Sequence, residues 1–170
     1  MNMKVTMMMA VTADGMIARD HSHFPDWTCS ADKKMFKMLT QKAGVVLFGS
    51  KTFDTIGKPL ENRLNIVLTR QPDRYHSADN LIFSSASPEL ILKDLTRRGF
   101  KEAILAGGSI INTLFAKSRL IDEVVLTIAP QIFGQGVTLF SEPCSLNLQL
   151  LEVNKLDADF VVLRYQVLYQ

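Results

Sequence analysis

Apolar residues recur along this chain in short runs separated by longer amphipathic stretches. Residues 4–11 (KVTMMMAV) form a compact apolar run ending at Asp14-Gly15, the pattern of a core strand and its turn. Residues 18–29 (ARDHSHFPDWTC) are polar and aperiodic, so they read as a loop. That loop stops at Ser30, the expected N-cap of a helix beginning at Ala31 and running to about Lys42. Strands are expected at 45–48, 65–69 and 81–83, with a turn at Gly49 and a short helix from Thr52 between the first two. Ser87-Pro88-Glu89 then opens a helix in the order N-cap, N1 proline, first-turn acid, and Gly99 closes it after Arg97 and Arg98. A strand at 103–105 leads into Gly107-Gly108 and a helix over 109–117, and residues 123–128 are strand again.

Strands alternating with helices imply right-handed parallel crossovers. The tail breaks that rhythm: residues 148–153 and 160–168 are strand-like and flank the polar stretch 154–159, so they are expected to form an antiparallel hairpin. The expected class is α/β with three layers: a mixed, mostly parallel sheet, helices on both faces, and a C-terminal antiparallel hairpin.

With 170 residues, 47% of them apolar, the chain is long enough for one core and too short for two, so residues 1–170 read as one domain. A net charge of +2 lacks the basic excess of a dedicated nucleic-acid binder but leaves an anionic small ligand open. The N-terminal apolar run is far shorter than the ~20 residues that span a bilayer, so no membrane association is expected. Cys29 and Cys144 form no C-x-x-C and accompany no secretory signal, which reads as reduced thiols in a cytoplasmic protein.

Asp32 is the first residue of chemical interest, because Met35, Phe36 and Leu39 follow it at helical spacing and an acid therefore heads an apolar stripe. Two readings stand side by side. A first-turn Asp is stabilised by the helix dipole alone, whereas a carboxylate at the mouth of an apolar pocket would have a raised pKa and could pair with an amidine-like ring edge. Nearby Trp27 could hold that carboxylate through water or pack over the ring.

Two strand-to-helix turns, FGSKT at 48–52 and AGGS at 106–109, offer bare backbone N–H groups of the kind that bind phosphate, and a pair of them suits a dinucleotide. The full G-x-G-x-x-G fingerprint is absent. Thr69-Arg70 sets a hydroxyl beside a guanidinium, a combination suited to a 2′-phosphate. His21 and His23 lack companions at ligand spacing and read as loop residues, so no metal is expected. Gly134-Gln-Gly136 reads as a hairpin or bulge.

The segments DWTCSADKKMFKMLT, GSKTFDTIGKPLENRLNIVLTR and AILAGGSII resemble successive landmarks of dihydrofolate reductase, in order, and with the first strand and LTIAP they cover most of the chain. T-F-D-T-I-G-K-P-L-x-x-R is the most specific match. The resemblance implies that Asp32 binds the pterin and assists protonation of its N5, with Thr127 supporting the acid. It places Met9, Phe36, Ile56 and Leu60 around the substrate and pairs Arg63 with a glutamate carboxylate. It implies NADPH as cofactor, held by Ala10, Ile17, Lys51, Thr52, Thr69, Arg70, Leu105, Gly107, Gly108, Ser109 and Ile110, under a mobile lid at 17–27. Two positions depart from the family pattern. Lys33 replaces a usually apolar residue, and Ile111 stands where an aromatic commonly borders the nicotinamide.

The stretch GGSIINTLFAKSRLIDEVVLTIAPQIFGQGVTLF is also similar to the reductase domain of riboflavin biosynthesis, which shares the fold and reduces a ribosylaminopyrimidine phosphate. Lys33 and Lys58 would make a pocket friendlier to phosphate, whereas the pairing of Asp32 with Arg63 favours folate. The expected function is therefore NADPH-dependent reduction of dihydrofolate to tetrahydrofolate, as monomer or homodimer. The alternatives are the pyrimidine reductase and a non-catalytic NADPH-binding module.

Overall fold

A computed structural model describes residues 3–169. Its elements, in order, are β1 (Lys4–Thr12), β2 (Met16–Ala18), α1 (Ser30–Ala43), β3 (Val45–Gly49), α2 (Ser50–Ile56), β4 (Leu64–Leu68), a 3-10 turn at Pro72–Arg74, β5 (Leu81–Ser84), α3 (Pro88–Arg97), β6 (Glu102–Leu105), α4 (Ser109–Lys117), β7 (Glu123–Ala129), β8 (Val137–Thr138), β9 (Asn147–Lys155) and β10 (Val161–Leu168). Eight strands form one sheet in the order β5-β4-β3-β6-β1-β7-β10-β9. The first six run parallel; β10 is antiparallel to β7, and β9 to β10. The mixed sheet and terminal hairpin are those read from the sequence.

Alternation along β1 sorts its side chains between two helical layers. Val5 and Met7 join the core built with Ile91, Leu92 and Leu95 of α3 and Ile111 and Phe115 of α4. Met8 points the other way, to Met35, Phe36 and Leu39 of α1. Phe53 and Ile56 of α2 pack on that second face, over Val46, Phe48 and Val67. Leu95 is 1% exposed, so truncating it to Ala would cost about 2–5 kcal/mol. Among the described residues no helix is long and apolar enough to cross a membrane.

The caps explain the helix limits. Ser87 Oγ accepts from the Leu90 amide with Pro88 next in line, as expected. At α1 the expected cap is corrected by one residue: Cys29 is extended (φ −81°, ψ 166°) and its thiol accepts from the Asp32 amide at 3.4 Å, so Ser30 is already helical. Gly44 ends α1 in the left-handed conformation, as a residue without Cβ does at low cost.

Of the hairpin or bulge expected at 134–136, no local hairpin forms, and the register irregularity nearby lies in the partner strand, between Met16 and Ala18. Two short strands absent from the sequence reading, β2 and β8, pair antiparallel across more than a hundred residues. Gly136 lies beneath them so closely that a Cβ would sit 2.3 Å from the Ala18 carbonyl.

Candidate active site

Five parallel strands deliver the expected residues to the carboxyl ends of the sheet, where open α/β folds bind ligands. Asp32, in the first turn of α1, is 8% exposed, and Thr127 of β7 is 1% exposed. Thr127 Oγ1 donates to Asp32 Oδ1 at 2.6 Å, a bond between residues 95 apart in sequence. Burial pushes the Asp32 carboxyl above its ordinary value, opposed by hydrogen bonds from Thr127 and Thr28 and by the Lys33 ammonium. Of the two readings of Asp32, this is the desolvated carboxylate, oriented from another element.

Trp27 is buried beside the start of α1, and its Nε1–H has no hydrogen-bond partner among the described residues. A buried indole N–H left without a protein acceptor is a donor kept for water or ligand. Phe36, Ile56, Leu60 and Met9 are all half-buried, apolar groups that retain accessible surface.

Arg63 is deeper than its expected role requires. It is 7% exposed, with Nε donating to the Glu61 carbonyl at 2.8 Å and Nη1 to Thr40 Oγ1. Burial lowers its pKa, the Glu61 carboxylate acting against it. The guanidinium ties the loop before β4 to α1.

The two glycine turns meet. The Gly49 amide donates to the Gly107 carbonyl at 2.8 Å, joining the ends of the paired strands β3 and β6. Gly107 (φ +86°) and Gly108, linked by a cis peptide, precede α4. Neither α2 nor α4 has a side-chain cap, so the first-turn amides of α4 have no acceptor in the helix and none from a cap. A Cβ on Gly108 would stand 3.3 Å from Thr52 Oγ1, so the space between the two turns exists because that residue is glycine. These residues fit a dinucleotide phosphate.

Not every expected cofactor contact is placed there. Leu105 is fully buried in the core shared with α3 and α4, so its side chain is structural and only its backbone is left to meet a cofactor. Thr69 Oγ1 accepts from the Gln71 amide at 3.2 Å and shapes the turn in which Arg70 is exposed. Lys51 and Ile110 are exposed, Ala10, Ile17 and Thr52 half-buried, and Ser109 buried. His23 serves the loop itself: its Nδ1 accepts from the Arg19 amide, and its ring packs on Phe133.

Three residues with no assigned role support this end of the molecule. Asp14 accepts from the Gly134 and Phe133 amides at 2.7 and 3.2 Å. Asn112 donates to the Leu139 carbonyl, and Thr113 Oγ1 accepts from the Ser141 amide. The signal for the last two was present in the sequence as adjacent polar residues at buried positions of an otherwise apolar helix.

Residues 3–162 match the RibD C-terminal domain. The chain belongs to the RibD C-terminal domain family. Among curated relatives, it is 30% identical to a putative dihydrofolate reductase of Caenorhabditis elegans over an alignment of 182 residues, covering 92% of this chain and 94% of that protein. A putative riboflavin biosynthesis protein from Shewanella sp. PV-4 superposes with a TM-score of 0.81 at 24% identity, covering 98% of this chain and 100% of that one. Dihydrofolate reductase from Enterococcus faecalis, solved with NADP(H), superposes with a TM-score of 0.72 at 23% identity, covering 98% and 99%. Both resemblances seen in the sequence thus recur among its relatives and structural neighbours, and the fold is the one they share.

Proposed function

We propose that this protein is an NADPH-dependent reductase of a pterin-like ring, with 7,8-dihydrofolate as substrate. The observation that carries the reading is the buried Asp32 carboxylate held by Thr127 at 2.6 Å. A desolvated acid oriented by a hydroxyl, with its carboxyl raised by burial, is suited to pairing with the amidine edge of an aminopyrimidine ring and to supporting proton transfer. NADPH, when bound, supplies the hydride. The α4 amides and the Gly107-Gly108 turn would hold its phosphates, with Thr52 alongside and Arg70 available to the 2′-phosphate. Asp32 orients the ring and sustains protonation at the nitrogen beside the hydride-accepting carbon, and Trp27 Nε1 supplies a donor for the water that relays the proton. Arg63 carries a guanidinium toward the substrate's distant carboxylate.

Membership of the RibD C-terminal domain family favours a second reading, reduction of a ribosylaminopyrimidine phosphate. Loss of NADPH absorbance with each substrate separates the two. Dihydrofolate turnover whose KM rises about 10- to 100-fold in Arg63→Ala, with kcat little changed, supports the folate reading. Turnover of the phosphorylated pyrimidine alone overturns it.

A further inference from the structure

One polar atom deep in the molecule is left open. Asn112, in the first turn of α4, is 0% exposed. Its amide nitrogen donates to the Leu139 carbonyl at 3.0 Å, whereas its Oδ1 has no hydrogen-bond partner among the described residues. Chemistry fixes this orientation, because the Leu139 carbonyl can only accept and so must face the NH2 group. Thr113, next along the helix, shows the usual state of a buried polar group: its hydroxyl donates to the Ser109 carbonyl at 2.8 Å and accepts from the Ser141 amide at 2.9 Å. A buried acceptor without a donor costs stability, so the donor for Asn112 is to be sought outside the protein.

Side chains of a helix lean toward its N-terminus, and the Asn112 oxygen is accordingly directed back to the Gly107-Gly108 turn. A Cβ on Gly107 would stand 3.8 Å from Asn112 Oδ1, and 2.9 and 3.0 Å from Met9 Cε and Sδ. The strand register carries this point toward Asp32. Met7 pairs with Leu105, which sets Met9 of β1 level with Gly107, and the next residue, Ala10, pairs with Thr127, the partner of Asp32. Ile111, at the position where an aromatic was expected to border the nicotinamide, is instead 8% exposed and packed in the core with Phe115.

We infer that Asn112 Oδ1 accepts a hydrogen bond from the carboxamide NH2 of a bound nicotinamide ring, and that the Met9 side chain moves aside to admit it. The inference rests on the NADPH reading of this site. With the phosphates at the Gly49 and Gly107 turns and the reacting ring beside Asp32, the nicotinamide lies over the end of β1, the strand between β6 and β7. The carboxamide is the one N–H donor that such a ring carries. An amide oxygen suits that donor and repels a phosphate, so Asn112 separates the ring end of the cofactor from its phosphate end. Asn112 is fully covered in the empty site, and the group a ring has to displace is adaptable: the half-buried Met9 is unbranched, and its thioether changes rotamer at low cost.

Calorimetric titration with NADP+ and with its 3-acetylpyridine analogue, in which a methyl ketone replaces the carboxamide, tests the inference without turnover. The analogue keeps the ring carbonyl and every phosphate but lacks the donor. The wild-type chain is expected to bind NADP+ about tenfold more tightly than the analogue. In Asn112→Leu, where an apolar side chain of similar size stands in, that preference should fall to about twofold or less through weaker binding of NADP+ alone. Asn112→Ala makes the same comparison should the leucine variant fail to fold, with far-ultraviolet circular dichroism as the check. A folded variant that keeps the wild-type preference overturns the inference, and so does a wild-type chain that binds both dinucleotides equally. Either result leaves the NADPH reading standing. Binding of neither dinucleotide by the wild type overturns that reading and the inference with it.

Discussion

At the scale of single residues, Asp32 is in a costly position, and the cost has a measurable sign. Burial raises its folded carboxyl, so between its ordinary and its folded value the native state holds a proton that the unfolded chain has released. Stability from this group is therefore present at low pH and lost as pH rises through the folded value. Asp32→Asn should accordingly keep or increase the melting temperature at neutral pH while lowering kcat by about 10²–10⁴-fold, which thermal unfolding and NADPH oxidation would show in one preparation. A large loss of stability in this variant would mean that the carboxylate is structural. Thr127→Val probes the same carboxylate from the other side. Removing a hydrogen bond that favours the ionised form should move the descending limb of the pH–rate profile to higher pH, and an unmoved limb would separate Thr127 from the titrating group. Asp32 was legible because an acid heading an apolar helical stripe is unusual chemistry in plain view. Thr127 was not legible from spacing, since a partner on a different strand has no local signature, and only the family resemblance pointed to it. The burial of Arg63 was likewise invisible, because nothing in P-L-x-x-R tells a buried guanidinium from an exposed one.

At the scale of elements, the signals that worked were those whose physics is local. Ser87-Pro88-Glu89 and Gly108-Ser109 set helix starts through backbone geometry that neighbouring residues dictate, and the expected span 109–117 is the observed α4. The short strands β2 and β8 escaped because three and two residues are too few for an alternation of period two to stand out. They exist through long-range contacts, the Asp14 carboxylate on the Gly134 amide and the close approach of Gly136 to Ala18. The α4 turn yields the prediction for this scale. Gly108 has φ −75°, open to any residue, so alanine there needs no backbone change. Its methyl would instead stand 3.3 Å from Thr52 Oγ1, inside the gap between the turns. Gly108→Ala should therefore raise the dissociation constant for NADPH roughly tenfold, about 1.4 kcal/mol, with stability changed by less than about 1 kcal/mol. Equilibrium titration of NADPH fluorescence measures the first and chemical denaturation the second. Unaltered binding would place the phosphates elsewhere.

At the scale of the whole molecule, the two ends of the sheet divide the work. Gly49, Gly107 and Thr127 lie toward the carboxyl ends of parallel strands, where binding is proposed. The opposite end is locked by charge: Glu123, 7% exposed at the start of β7, accepts from Lys4 of β1 at 2.7 Å and from Arg164 of β10 through both Nε and Nη2. Next to it, the Asp122 carboxylate accepts the Val5 amide at 2.7 Å. Three strands, including the junction where the sheet turns from parallel to antiparallel, are thus held by one carboxylate. Burial acts to raise the Glu123 carboxyl, but Lys4 and Arg164 outweigh it and hold the group below its ordinary value of 4.5. A depressed folded value means that the stabilisation is fully present above about pH 4.5 and is lost as pH falls through the folded value. Glu123→Gln keeps the shape and removes the charge. Because both cations are partly exposed, the expected cost at neutral pH is modest, about 1–2 kcal/mol. The variant's denaturation midpoint should converge on that of the wild type as the pH is lowered toward 3. Its kcat should be unchanged throughout, since Glu123 lies at the end of the sheet away from Asp32. Parallel curves that never converge in acid would show that the side chain stabilises by packing, and a fall in kcat would show that the two ends of the sheet are coupled.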